Sequence, residues 1–399
     1  LPGIGIGSRR CGGGAQLGDA QMMTPEQNEY FTRVGPGTPA GEMLRRYWWP
    51  VWFSQQVTDR PVPVKLLGES LILFRDASGK VGILDSRCPH RGASLELGRV
   101  EADGIRCCYH GWKFDRAGRC VDMPAEPENT PLKNEVRQTA CQTEEAGGLI
   151  FAYMGPQPAP LLPKYDLLFR EDCNRVVWAS EGHSNWLQRA ENGYDPHHLM
   201  ALHAPGYPQI ALKRADVTMD KTWYGHRTLM VFPDGLQNTT HQIFPSHLRR
   251  LGARKGDHPR HYLNLRVPLD DHSTTTFMVE AEIIEKGPGT LRTRGYKKLP
   301  LMAFERIEDG WWGIPSHDQD RIVMESQGTI ADRAREYLGT SDEGIVMFRR
   351  MIQDSIKAVQ EGRDPLGIVR DPAQNTLIHF DAGKNYSDGE NKAPAIITV

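Results

Sequence analysis

Two short loops, Cys88-Pro89-His90 and Cys107-Cys108-Tyr109-His110, carry two thiols and two imidazoles with sixteen residues between them. Any fold this chain adopts has to present both loops to one metal group. The donor set suits a [2Fe–2S] centre in which two cysteines hold one iron and two histidines the other. Neutral imidazoles in place of two thiolates lower the negative charge of such a cluster and raise its potential, so it passes electrons to a site of moderate potential. The competing reading is a structural zinc site, because Cys₂His₂ also satisfies tetrahedral Zn²⁺. Zinc sites usually pair Cys with Cys in one loop and His with His in the other. Here each loop supplies one of each, which favours the two-iron geometry.

The flanks agree with that reading. Arg91, Gly92 and Ala93 follow the first pair of donors, and Gly111 and Trp112 follow the second. Small residues let backbone N–H groups approach cluster sulfurs, and such hydrogen bonds tune potential. Over CPHRGA…CCYHGWKFD the chain resembles the Rieske non-haem iron oxygenases. Cys108 departs from the pattern, since the family commonly has Pro there; it lies between donors and is not expected to coordinate.

A Rieske ferredoxin needs little more than a hundred residues, so the rest of a 399-residue chain is expected to hold what the cluster feeds. Asn192-Gly193-Tyr194-Asp195-Pro196-His197-His198 is followed, after four residues, by His203. Two His and one carboxylate on one side of a metal, with positions left open, form the ligand set of Fe(II) sites that use O₂. The segment resembles the family's N-x-x-D-x-x-H-x₄-H motif, which implies His198 and His203 as imidazole ligands. Residues five apart on a regular helix point roughly 140° apart, so the helix has to widen or end between them. His197 is the rival donor, expected to face away if His198 faces the iron. The resemblance gives Asp195 a bridge between a Rieske His and a mononuclear-site His; on its own the residue reads as a helix N-cap with Pro196 at the first position. Asn192 reads either as polar support for the iron or as a loop hydrogen-bonder. For the carboxylate ligand the resemblance points to Ser316–Glu325, with Asp320 the best match, Asp318 second, and Asp270-Asp271, which look like a turn between strands, a distant third.

Net charge is −2, with 48 basic and 50 acidic residues, which leaves no footprint of nucleic-acid binding. No run of eighteen apolar residues occurs, so no transmembrane helix is expected. Seven cysteines, an odd number, do not read as a disulfide framework. Cys11, Cys108, Cys120, Cys141 and Cys173 are expected as free thiols in a reducing cytoplasm. Residues 1–23, Gly-rich and without a secretory apolar core, read as a disordered leader or tag. Residues 24–48 read as N-terminal helices, with a capping box at Thr24-Pro-Glu-Gln27 and a second helix over Ala40–Trp48. Residues 49–158 show short apolar runs between turn signals, an all-β Rieske domain. The Pro-rich stretch from Gly155 to Pro163 reads as a stiff linker. Residues 159–399 read as the mononuclear iron catalytic domain that the resemblance implies. Strands there are expected at Arg175–Ser180, Arg227–Phe232, Tyr262–Pro268 and Thr275–Ile284, and helices at Asn185–Arg189, Asp320–Gln327 and Glu343–Gln360. The order suits an α+β domain with an antiparallel sheet wrapped around a helix, of the helix-grip or START-like kind.

The likeness runs from Pro25 to about Leu366 and is closest to the phthalate-dioxygenase-like oxygenase subunits, on Arg45-Arg46-Tyr47-Trp48, Gln327-Gly328-x-Ile330-Ala331-Asp332-Arg333 and Ser341-Asp342. It implies an oxygenase that uses O₂ on an aromatic substrate, an α₃ homotrimer, and a separate NADH-dependent flavin/iron–sulfur reductase. The chain itself has no strand–GxGxxG–helix fingerprint and no further Cys₄ motif. Ring hydroxylation to a cis-diol and O-demethylation of a methoxy-aromatic acid, through a hemiacetal that loses formaldehyde, are both compatible with these motifs. Arg227 and Arg266, on expected strands of the catalytic domain, are the candidate clamp for a substrate carboxylate. The basic run Arg249-Arg250…Arg254-Lys255 reads as a solvated loop or a face for the reductase.

Overall fold

In the computed structural model, which describes residues 23–203, 210–255, 258–284, 287–298 and 316–380, two capped helices precede the sheets. At α1 (Pro25–Thr32) the Thr24 hydroxyl accepts the Gln27 N–H at 3.2 Å and the Gln27 side-chain oxygen accepts the Thr24 N–H at 2.9 Å, the expected reciprocal cap. The second helix, α2 (Pro39–Leu44), stops short of the expected Trp48. Trp48 instead opens β1 (Trp48–Phe53), whose aromatic and β-branched side chains are buried on both faces of a paired strand. Tertiary burial decides the conformation there. The expected leader falls almost wholly outside the described residues.

Strands β2 (Val62–Leu66), β3 (Glu69–Arg75) and β4 (Val81–Asp85) follow, then the short β5 (Arg99–Glu101), β6 (Gly104–Arg106), β7 (Lys113–Phe114) and β8 (Cys120–Asp122). After a one-turn helix α3 (Leu132–Glu135), β9 (Ala140–Ala146) and β10 (Leu149–Tyr153) return to the first sheet. Its order is β1-β10-β9-β4-β3-β2, and the smaller sheet runs β5-β6-β7-β8. Every pair is antiparallel, as expected of an all-β domain. Ile72, Phe74, Leu84, Leu95, Ile105 and Phe114 fill a core of their own beneath Cys88, Cys107 and Trp112, so both cysteine loops rest on one rigid apolar floor.

The second half contains α4 (Asp166–Phe169), β11 (Cys173–Gly182), α5 (Trp186–Tyr194) and α6 (His198–Leu202). Strands β12 (Asp216–Thr222), β13 (Gly225–Val231), β14 (Gln237–Ile243), β15 (His247–Lys255), β16 (His258–Pro268), β17 (Thr274–Ile283) and β18 (Leu291–Lys298) come next, and α7 (Ser316–Ser326) and α8 (Glu343–Gln360) close the described fold. The eight-stranded sheet has the order β12-β13-β14-β15-β16-β17-β11-β18. One pair departs from the antiparallel expectation: β18 runs parallel to β11. The short connection after β17 reverses the chain, and β11, already antiparallel to β17, lies between the two strands. Alternation along β16 sends Leu263, Leu265 and Val267 into the shared apolar core and Tyr262, Asn264 and Arg266 to the other face. That other face belongs to α5, because Arg266 Nη1 donates to the Arg189 carbonyl at 2.5 Å.

Arg249 is not part of a solvated loop. It is buried on β15 and donates to both carboxylate oxygens of Asp166, through Nε at 3.1 Å and Nη2 at 2.9 Å. The side chains of Arg254 and Lys255 lie outside the described residues. Burial, and next Arg249, push His241 down to about 4 and His261 down to about 3; burial, and next Arg266, push His247 down to about 3. These imidazoles stay neutral in the fold while their unfolded counterparts protonate below about pH 6.5. Stability is therefore highest above that pH and falls as pH drops from about 6.5 towards 3–4, each histidine contributing at most about 1.4 kcal/mol per pH unit. Urea midpoints at pH 7.5 and pH 5 are expected to show the loss, and His247→Gln to reduce it. An unchanged pH slope in that variant contradicts the assignment.

Candidate metal centres

The two cysteine loops are built alike. In the first, the Cys88 N–H donates to Ala93 O at 2.8 Å and Gly92 N–H to Cys88 O at 2.9 Å; in the second, Cys107 N–H donates to Trp112 O at 2.8 Å and Gly111 N–H to Cys107 O at 3.1 Å. Each turn closes on a glycine with positive φ, +72° at Gly92 and +77° at Gly111, a conformation other residues rarely hold. A side chain at Gly111 would also collide with Pro124. Cys88 and Cys107 are buried, while His90 and His110 are half-buried at the rim. The two rings lie 4.5 Å apart by centroid, and His90 stacks on Trp112 at 4.3 Å. His90 Nδ1 is buried with no hydrogen-bond partner, a nitrogen left over for a metal. Burial above all, with Cys107 beside it, raises the Cys88 thiol, so a metal is needed to hold the thiolate. The two rings lie side by side at the rim and the two thiols lie buried below, an arrangement that fits a two-iron core with one iron held by the cysteines and the other by the histidines.

His198, His203 and Asp320 do converge, with ligand atoms within 4.8 Å of one another. Their spacing works because α6 ends at Leu202 and His203 is its C-cap, so the helix terminates between the two histidines. His198 Nδ1 contacts the Asp195 carbonyl, which turns Nε2 towards Asp320 Oδ1 at 3.6 Å. His203 is buried and held between two consecutive side chains of α7. Gln319 Oε1 lies 2.9 Å from its Nδ1, and Asp320 Oδ1 lies 3.2 Å from its Nε2. Yet His203 Nε2 makes no aligned hydrogen bond. A buried imidazole nitrogen this close to a carboxylate is placed to share a metal ion with it. Burial would raise the Asp320 carboxyl, but His203, His198 and Arg266 outweigh it and hold the group at about 2. Asp318 lies 3.8 Å from the Arg321 guanidinium. Asp270 and Asp271 occupy the expected turn, tied to Lys65 and to the Val34 N–H.

Asn192 faces the same group: its Nδ2 lies 3.2 Å from Asp320 Oδ1 and 3.5 Å from His198 Nε2, while Oδ1 accepts from Arg266 Nη2 at 3.3 Å. Asp195 Oδ1 accepts the His197 N–H at 3.0 Å, so it stabilises the turn between α5 and α6 rather than capping α6 with Pro196 as its first residue. The ring of His197 belongs to no donor group among the described residues, and its buried Nδ1 is unpartnered. Arg227 and Arg266 stand differently. Arg227 pairs with Asp220 at 3.0 Å on the side of β13 opposite His226, Thr228 and Met230, whereas Arg266 is buried against α5 with two of its N–H groups in use.

The frame behind the site explains why α5 is placed so firmly. Gln188 on α5 donates to Met324 O and Gly328 O and accepts from Ala331 N–H. Glu191 takes Arg333 at 2.7 Å and Arg349 at 2.8 Å. The stretch from Gln327 to Arg333 thus locks α5 to α7, and the donors of both helices with it. Sequence reasoning missed Gln319. Its signal was available, since consecutive helical side chains diverge by only about 100°, so both can grip one ring. Gln319→Leu is expected to weaken Fe(II) or Co(II) binding at this site by about 10- to 100-fold, measured by anaerobic metal competition. Undiminished affinity would leave Gln319 with no part in holding the metal.

The description "Rieske [2Fe-2S] domain" matches residues 47–140, and "LigXa C-terminal domain like" matches residues 305–385. The chain is 37% identical to the 5,5'-dehydrodivanillate O-demethylase oxygenase subunit of Sphingobium sp. (strain NBRC 103272 / SYK-6), over 90% of this chain and 86% of that one. It is 34% identical to the phenoxybenzoate dioxygenase subunit alpha of Ectopseudomonas oleovorans, over 92% and 93%. The fold is shared with Pseudomonas putida CBB5 NdmA solved with caffeine, at a TM-score of 0.66 and 22% identity, covering 83% of this chain and 97% of that one. Among the described residues, no helix is long and apolar enough to cross a membrane.

Proposed function

The chain belongs to the Rieske non-haem iron oxygenases as a terminal oxygenase component, and from that premise we propose that it hydroxylates a carboxylated aromatic substrate, with electrons supplied by a separate NADH-dependent flavin/iron–sulfur reductase. The observation that carries the reading is the convergence of His198, His203 and Asp320, whose ligand atoms lie within 4.8 Å of one another. In the proposal these three residues hold the mononuclear iron, and Cys88, His90, Cys107 and His110 hold the cluster. When bound, the cluster supplies electrons one at a time and the iron activates O₂ for insertion into the substrate. Gln319 fixes the His203 ring, and the Asp195 carbonyl fixes that of His198. Arg266 turns the Asn192 amide so that its NH₂ faces the site.

One oxygen of Asp195 takes the His197 N–H. The other is assigned to a cluster histidine of an adjoining copy, which joins the two centres across a subunit boundary in a homotrimer. Tyr109 and Leu97, large and exposed beside the cluster loops, suit such a contact or that of the reductase. The cytoplasm is the proposed compartment, because the six described cysteines are free.

O-demethylation is the second reading, favoured by the relative that carries that name over 90% of this chain. Turnover with a surrogate reductase and a panel of methoxybenzoates and unsubstituted benzoates separates the two. Dihydrodiol from the ring marks dihydroxylation, and formaldehyde marks demethylation. If neutral polycyclic rings turn over far better than any acid, the carboxylated substrate class is wrong.

A further inference from the structure

On the α5 side of β16, one residue is left unexplained by the metal site. Asn264 stands between Arg266 and Tyr262 on the same face, and its register neighbours are Leu248 on β15 and Met278 on β17. It is 9% exposed, and its Oδ1 is buried without a hydrogen-bond partner among the described residues. Buried acceptors lacking a donor are rare in native proteins and costly. Its position gives the reason. Arg266, whose guanidinium reaches Asn192 beside Asp320, stands two residues along the strand, so its side chain and that of Asn264 leave the sheet on one face. The floor on either side is apolar, formed by Leu248 and Met278. The cations of this face are Arg266 and Arg250, which lies 4.6 Å over the Tyr262 ring, while Glu280, opposite Tyr262, pairs with Arg260.

We infer that Asn264 is the polar anchor of the substrate site and that it accepts a hydrogen bond from a hydroxyl group on the aromatic ring, so that the substrate class is phenolic. The inference rests on the aromatic reading proposed above and narrows it. The amide oxygen takes the phenol O–H, and Leu248 and Met278 hold the ring edges. A methyl ether at the same ring position has no proton to give and leaves Oδ1 as unpaired as it is without ligand.

The test is equilibrium binding to the oxidised holoenzyme by calorimetry, with matched pairs of probes. Vanillate carries the free hydroxyl and veratrate is its methyl ether; guaiacol and veratrole are the neutral pair. Wild type is expected to bind the phenol of a pair about 10- to 100-fold more tightly than the ether. Asn264→Leu should lose that preference by weakening phenol binding while leaving the ether nearly unchanged. Asn264→Asp, which keeps the acceptor, should retain the guaiacol-over-veratrole preference. If Asn264→Leu does not fold, Asn264→Ala reads the same ratio. Equal wild-type affinity for phenol and ether overturns the proposal, as does a preference that survives in the Leu or Ala variant. Should neither acid bind while guaiacol still outcompetes veratrole, the carboxylate reading fails and Asn264 stands. If the acids bind equally well with and without the hydroxyl, the role of Asn264 fails and the carboxylate reading stands.

Discussion

Asp320→Ala is expected to lower the iron content from about three to about two per chain and to abolish turnover, while the visible spectrum of the cluster stays intact. The selectivity follows from the architecture. Among the described residues, Asp320 of α7 meets His198, His203 and Asn192, with Arg266 close enough to act on its charge. The cluster loops rest on a separate apolar core between two other sheets. Removing the carboxylate leaves two neutral imidazoles, too few donors of too little charge to keep a divalent ion. The frame should survive, because Gln188 also ties α5 to α7, and Glu325 of α7 accepts the N–H of His183 in the turn that leads into α5. Iron analysis, a visible spectrum and a coupled assay check the prediction together. Full iron content in the variant would move the ligand role to another acid, with Asp318 first in line.

Asp195→Asn should have the second largest effect, and of a different kind. Asn keeps an oxygen for the His197 N–H, so the turn between α5 and α6 is preserved and both metal sites remain filled. What it loses is the charge and the second acceptor assigned to the adjoining copy. Turnover is expected to drop at least about 100-fold, the scale of loss that a misplacement of roughly 1 Å brings by itself. Reoxidation of the reduced cluster in the presence of substrate and O₂ should slow with it. Wild-type rates would make Asp195 a turn-former and nothing more. Loss of iron alongside activity would make it a support of the mononuclear site.

What the sequence disclosed and what it concealed divide along one physical line. Donors close together in the chain, such as Cys88 with His90 and Cys107 with His110, are legible because local loops hold them and short-range spacing survives folding. His198 and His203 were legible for the same reason, and the demand that the helix end between them is met at Leu202. Asp320 came only through family likeness, since no local rule links α7 to α6. Residues whose meaning depends on strand register stayed hidden. Arg227 was chosen for its charge, yet alternation puts it on the far side of β13, against Asp220, with His226 on the inner side. Asn264 carried no charge to attract notice, and its isolation shows only once its neighbours on β15 and β17 are known. Helix boundaries failed where burial overrode propensity, at Trp48.

One chain is thus held to carry both a two-iron cluster and a separate mononuclear iron. Metal and acid-labile sulfide analysis of the purified protein tests that pairing without recourse to substrate or reductase. About three irons and two sulfides per chain are expected, with a visible spectrum from the cluster. Zinc in the Cys88–His110 site, or a colourless protein without sulfide, would contradict it.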